Sequence, residues 1–417
     1  MREQLEGSHA VARAIARCRP EVVCAYPITP QTHIVEAVSR LARSGELERC
    51  EVVNVESEFA AMSVAIGASA TGARAYTATA SQGLLYMAEA LFNASGLGLP
   101  IVMTVANRAI GAPINIWNDH SDSMAMRDCG WIQLFAADNQ EAVDLHVQAF
   151  RIAEELSTPV MVCMDGFVLT HAFEPLEVPE QEQIDVFLPP FQPRQVLDPD
   201  DPMTIGAMVG PEAFTEVRYL AHAKQIQALD VIPQVANDFH EHFGRASGGL
   251  LERYRSDDAQ TVVLALGSVF GTIAEVVDEL REGGTSVGAV ALKSFRPFPL
   301  AELREALAHA ERVVVVERAL AVGIGGIVSA NVRTALAGLP VVAHTVIAGL
   351  GGRAITRRSL RELLAQAVDG RLGELHFLDL RTDVVERELK RARGGGRPGP
   401  HAEGILRDLG IVAAGPV

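Results

Sequence analysis

The sequence predicts an α/β protein with two doubly wound parallel-sheet domains joined by a Pro-rich connecting arm. Short apolar runs alternate with Ala-rich periodic segments from Glu21 to about Met164, and the same rhythm returns from about Asp257 to Ala367. Between the two, strand rhythm gives way to proline and then to a charged helical pattern. Gly and Val are plentiful and aromatics make up only 5% of 417 residues, which suits layered α/β packing.

The first half reads element by element. EVVCAYP, CEVVNV, ARAYTATA and LPIVMTVANR are strands. HIVEAVSRLARSG, SEFAAMSVAIGASATG and SQGLLYMAEALFNASG are the helices between them, and QEAVDLHVQAFRIAEELSTPVMVCMDG supplies one more helix and strand. Such alternation requires crossover helices on both faces of a parallel sheet. The arm carries EPLEVPE and FLPPFQPRQVLDPDDP, whose prolines hold extended backbone, then a helix ending at FGRASGG. TVVLALGS, FGTIAEVVDELREGG, SVGAVALKSFRPFP, LAELREALAHAERVVVVER and VVAHTVIAG build the second βαβ domain. The expected boundaries are 1–170, 171–257, 258–370 and a C-terminal extension 371–417, with a loop across RARGGGRPGPH.

Composition narrows the partners. Thirty-six basic against fifty-two acidic residues give a formal charge of -16, which repels nucleic acid and anionic membrane. The N-terminus through His9 has no apolar core of the kind a secretory leader needs, and a cytoplasmic location is expected. Two uncharged stretches, 90–107 and 334–352, are broken by Pro and Gly and read as strands with turns, so no membrane span is expected. Cys18, Cys24, Cys50, Cys129 and Cys163 show no metal-cluster spacing, so no cluster or metal is expected in this chain.

Three polar turns follow predicted strands: Tyr26-Pro27-Ile28-Thr29-Pro30, Glu56-Ser57-Glu58 and Asn107-Arg108. Ligands of open parallel sheets sit beyond the carboxyl ends of the strands, where these turns could converge. Taken singly, each has an ordinary reading: Thr29 as a helix cap, Glu58 as an acidic residue at a helix start, Arg108 as a surface pair. Asp119-His120-Ser121-Asp122 is too compact in sequence to be a triad, which is assembled in space. Gly323–Gly326 and Gly349–Arg353 complete no phosphate-binding fingerprint and read as tight turns.

These turns, in this order, together with AYPITPQT, PINIWNDHSDSMAMRDCGWIQ, LKSFRPFP, VVVVER and GLGGRAIT, resemble the alpha subunit of the pyruvate:ferredoxin oxidoreductase family of 2-oxo acid oxidoreductases. The resemblance implies a pyrimidine-type thiamine-diphosphate-binding domain followed by a transketolase C-terminal-like domain. It implies that Glu58 is catalytic, meeting the aminopyrimidine ring of thiamine diphosphate so that the ring can activate its own thiazolium carbon. It also implies that Thr29, which helps hold the cofactor, and Arg108 bind the carboxylate and oxygen of the 2-oxo acid. The diphosphate, Mg2+ and the [4Fe-4S] clusters are then expected in a beta subunit and further iron-sulfur and gamma-type subunits. Coenzyme A takes the acyl group, and ferredoxin or a nicotinamide takes the electrons. A pyruvate-like substrate fits the resemblance best; an aromatic one such as phenylglyoxylate, and a non-catalytic scaffold subunit, stay open. A nucleotide-dependent dehydrogenase is disfavoured because no dinucleotide fingerprint follows any strand.

Overall fold

The computed structural model describes residues 2–393 and 401–411, so most of the loop expected across RARGGGRPGPH lies outside the described residues. In chain order the strands are β1 (Glu3–Glu6), β2 (Val22–Ala25), β3 (Glu51–Asn54), β4 (Ala75–Thr79), β5 (Val102–Asn107), β6 (Ile132–Phe135), β7 (Val160–Asp165) and β8 (Phe173–Leu176). The second half adds β9 (Leu251–Tyr254), β10 (Thr261–Ala265), β11 (Val287–Leu292), β12 (Ser294–Arg296), β13 (Arg312–Glu317), β14 (Val342–Ile347) and β15 (Leu375–Phe377).

Two sheets dominate, ordered β12-β6-β7-β5-β4-β2-β3 and β15-β14-β13-β10-β11-β9, and β1 pairs with β8 in a small antiparallel ribbon. Both large sheets are parallel apart from one antiparallel edge strand each, β12 and β9. At β2 the first sheet changes direction: β3 lies on one side and β4 on the other, which is the switch point where open α/β sheets take ligands. The central strands β4, β5, β7 and β11 are buried along their whole length, as apolar runs covered by helices on both faces must be.

The sequence boundaries and the sheets differ in three places. β9 starts before 258 and β15 follows 370, yet both belong to the second sheet. β12, from the second half, closes the edge of the first sheet by pairing with β6. In the arm, residues 214–243 form one helix whose second half buries Ile232, Val235 and Phe239 in the first domain's core. No helix among the described residues is long and apolar enough to cross a membrane.

The two sheets share a core. Met103, Phe135 and Met161 from the first pack with Val262, Leu264, Val290 and Val313 from the second in one apolar cluster. Charged links run through the same contact: Lys293 Nζ meets Glu141 at 2.7 Å with both side chains buried. Asp165, at the end of β7, accepts from His120 Nε2 and Arg318 Nη1, each at 2.8 Å, and from the Ser268 backbone N–H and hydroxyl. The contact geometry between the halves is therefore specified by hydrogen bonds that apolar packing alone would not supply.

Candidate active site

Four neighbouring strands, β5, β4, β2 and β3, end on one crevice, and each delivers one polar group of interest. After β3, Ser57 caps the helix Glu58–Ala70 by accepting from the Ala60 N–H at 3.2 Å. The cap sets the first helical turn, and Glu58, its first residue, is carried inward rather than left on the surface: it is 8% exposed. No described residue donates a hydrogen bond to its carboxyl group.

Gly83, on the helix that follows β4, shows how tightly this pocket is drawn. A Cβ placed there would lie 2.6 Å from Glu58 Oε1 and 2.6 Å from Thr79 Oγ1. Thr79 Oγ1 is itself buried and has no hydrogen-bond partner among the described residues. A carboxyl group and a hydroxyl, both lacking partners, thus face a floor that only glycine leaves open. A flat ring with nitrogen donors at its edge fits this arrangement.

Arg108, directly after β5, is 6% exposed. Its Nε donates to the Asn115 carbonyl at 2.9 Å and its Nη1 to the Thr29 carbonyl at 2.8 Å. Among the described residues Nη2 has no acceptor, so the guanidinium is aimed by two carbonyls and keeps one face for an anion. Thr29 joins it through the backbone. The helix Thr32–Ser44 begins at Gln31 without a side-chain cap, so the Thr29 hydroxyl does no capping. Gln31 fixes the turn by donating to the Tyr26 and Ala78 carbonyls.

Asp122 ties these pieces together, and sequence reading gave it no role. Its Oδ2 accepts from the backbone N–H groups of Ser81 and Arg108, both at 2.9 Å, and its Oδ1 accepts from Asn107 Nδ2 and the Ser123 N–H, both at 2.8 Å. Ser81 is held at φ 51, a left-handed conformation costly for a residue with a side chain, and opens the helix that carries Gly83. Asp122 therefore positions both the Arg108 backbone and the glycine floor beneath Glu58. The compact run around it divides its labours: Asp119 accepts from the Gly351 N–H, and His120 reaches Asp165. The Gly349–Arg353 turn lies against Asn115 and Trp117, where a Cβ on Gly352 would meet Trp117 Cβ at 2.4 Å.

Burial raises the Asp122 carboxyl to about 6, against the pull of its four donors. Protonation would turn one oxygen into a donor facing N–H donors, loosening Arg108. We expect kcat/KM to fall on an acid limb near pH 6 that is absent from Asp122→Asn, a variant of low activity throughout. The stability sign is opposite. A raised carboxyl pKa favours the folded state at low pH, so the Asp122 contribution to stability declines from about pH 4 to about pH 6. Parallel pH profiles of activity and melting temperature check both.

The family described as pyruvate flavodoxin/ferredoxin oxidoreductase, thiamine-diphosphate-binding, matches residues 13–237, and pyruvate:ferredoxin oxidoreductase core domain II matches residues 259–360. The chain is 48% identical over 392 residues to pyruvate synthase subunit PorA of Methanosarcina barkeri, covering 91% of this chain and 97% of that one. It is 40% identical over 359 residues to ketoisovalerate oxidoreductase subunit VorA of Pyrococcus abyssi, covering 85% and 91%. Among solved structures it is similar to 2-oxoglutarate:ferredoxin oxidoreductase from Magnetococcus marinus, with TM-score 0.66 and 20% identity, over 88% of this chain and 65% of that one. Matched over more than half its length by one domain of the family, over most of its second sheet by the next, and by relatives of such identity nearly end to end, the chain belongs to the pyruvate:ferredoxin oxidoreductase family.

Proposed function

We propose that this chain is the alpha subunit of a thiamine-diphosphate-dependent 2-oxo acid oxidoreductase that converts pyruvate and coenzyme A to acetyl-CoA and CO2. The observation that carries the reading is the inward Glu58 carboxyl group, without a donor among the described residues, above the Gly83 floor. Thiamine diphosphate, when bound, supplies the nucleophilic carbon and the electron sink that a 2-oxo acid requires. Glu58 would hold a proton on the ring nitrogen, and Thr79 would offer its hydroxyl beside it. Arg108 would grip the substrate carboxylate through Nη2 while the Asn115 and Thr29 carbonyls keep it aimed. Substrate held this way is oriented before it reacts, and fewer wrong approaches remain.

A partner subunit completes the site in this reading, bringing the diphosphate pocket with its Mg2+ and the first iron-sulfur cluster. Ile114, Ile116 and Trp117 support it: they form an exposed apolar rim on the loop that bonds Arg108, where a second chain would cover them. Pyruvate is favoured over larger 2-oxo acids by the high identity to pyruvate synthase subunits. Coenzyme-A-dependent reduction of a viologen dye by the assembled complex tests this, with pyruvate turning over fastest; turnover of no 2-oxo acid would refute it. Arg108→Ala should lower kcat/KM about a hundredfold, mostly through KM, since charged hydrogen bonds to a buried carboxylate are worth about 1.5–3 kcal/mol. Steady-state kinetics across pyruvate concentration reads this directly.

A further inference from the structure

We propose that Glu6, His33 and His171 form a binding site for a divalent cation of the zinc class, at the back of the turn that carries Thr29. The three come from distant stretches: the end of β1, the first turn of the helix Thr32–Ser44, and the segment between β7 and β8. One ligand atom of each lies within 4.8 Å of the others. Two imidazoles and a carboxylate are a ligand set suited to borderline divalent metals.

The ligands are already oriented. His33 Nδ1 lies 2.7 Å from Glu6 Oε1, and the His33 and His171 rings stand 4.5 Å apart. The Thr170 hydroxyl holds His171 Nδ1 at 2.7 Å and itself accepts from the Phe167 N–H, so the other ring nitrogen of His171 is the one available. A metal-binding histidine is commonly held in this way through its second nitrogen. Glu6 is buried, while the His33 side chain is 44% exposed and is held by its bond to Glu6 and its ring contacts. Metal binding would exchange the 2.7 Å His33–Glu6 hydrogen bond for the roughly 3.4 Å separation of ligands in a tetrahedral zinc site.

A cation would join three side chains where the present hydrogen bond joins only Glu6 and His33. The cluster also touches the active-site wall: His171 packs on Phe167, which packs on Trp117, with ring centroids 4.8 Å apart at each step. A bound cation would pin β1, the helix after the Thr29 turn and the end of β7 as one unit.

The test is zinc titration of the full chain by calorimetry, with metal analysis after dialysis. The wild type should retain one zinc per chain, raising its melting temperature. His171→Ala and the gentler His171→Gln should each lose that zinc and the thermal gain, while near-UV circular dichroism verifies their fold. Glu6→Gln should bind roughly 10- to 100-fold more weakly. His222→Ala, a histidine on the remote arm helix, should bind as the wild type does. Equal zinc uptake by wild type and both His171 variants, or none by the wild type, would overturn the proposal.

Discussion

Replacing Glu58 by Gln should cut turnover by roughly a hundred- to ten-thousandfold, the usual worth of a positioned acid or base, while the protein folds at least as stably as before. Both halves of that expectation come from one feature. Glu58 is 8% exposed and no described residue donates to its carboxyl group, so the fold gains no hydrogen bond from it. An amide of the same shape removes the carboxyl group without opening a cavity, and the melting temperature should hold or rise. The amide cannot exchange a proton with a ring nitrogen, and activity should collapse. A group that adds no hydrogen bond to the fold yet is needed for the chemistry is what separates a functional carboxylate from a helix-start glutamate. Turnover in the assembled complex, alongside thermal melts, reads both quantities. Near-normal turnover, or a fall in stability matching the fall in activity, would remove Glu58 from its assigned role.

Replacing Asp165 by Asn should have the opposite profile, with a loss of about 3–5 kcal/mol of stability. Asp165 is 1% exposed and receives His120, Arg318 and two donors from Ser268. Its amide would leave the Arg318 guanidinium, also buried, without an anion, and Arg318 Nε already lacks a partner among the described residues. Burial pushes the Asp165 carboxyl up, but the charges of Arg318 and His120 outweigh it and hold the group well below the usual carboxylate range. The folded state therefore gains from the ionised form above the unfolded value of about 4, and that gain is lost as pH falls below it. Denaturant unfolding should show the wild type losing stability in acid faster than Asp165→Asn, and being more stable by the full amount at pH 7. Equal stability of the two at neutral pH would mean that the Asp165 hydrogen bonds add nothing to the contact between the halves.

The alternation of strands and helices was legible because its signals are local. A run such as VVVVE or VMTVAN is apolar at consecutive positions, and a buried parallel strand needs nothing more. Thr29, Glu58 and Arg108 were legible as turn residues after strands, and the sheet order brings those turns to one crevice. β9 and β15 were not legible. They are four and three residues long and half-exposed, so no apolar run marks them, and only their pairing partners make them strands.

By itself, then, the chain's sequence determined two α/β units, the order of their elements, the family resemblance and the turns that carry the candidate chemistry. The tertiary structure alone decided that β12 crosses into the first sheet, that Asp165 bolts the halves together and that Asp122 aims Arg108 while holding the floor under Glu58. It also decided that Glu6 and His171, 165 positions apart, meet at His33. Patterns of period two or 3.6 are written within a few neighbouring residues. A hydrogen bond or a metal ligand set depends on which distant residues the fold brings within about 3 Å, and no local pattern encodes that distance.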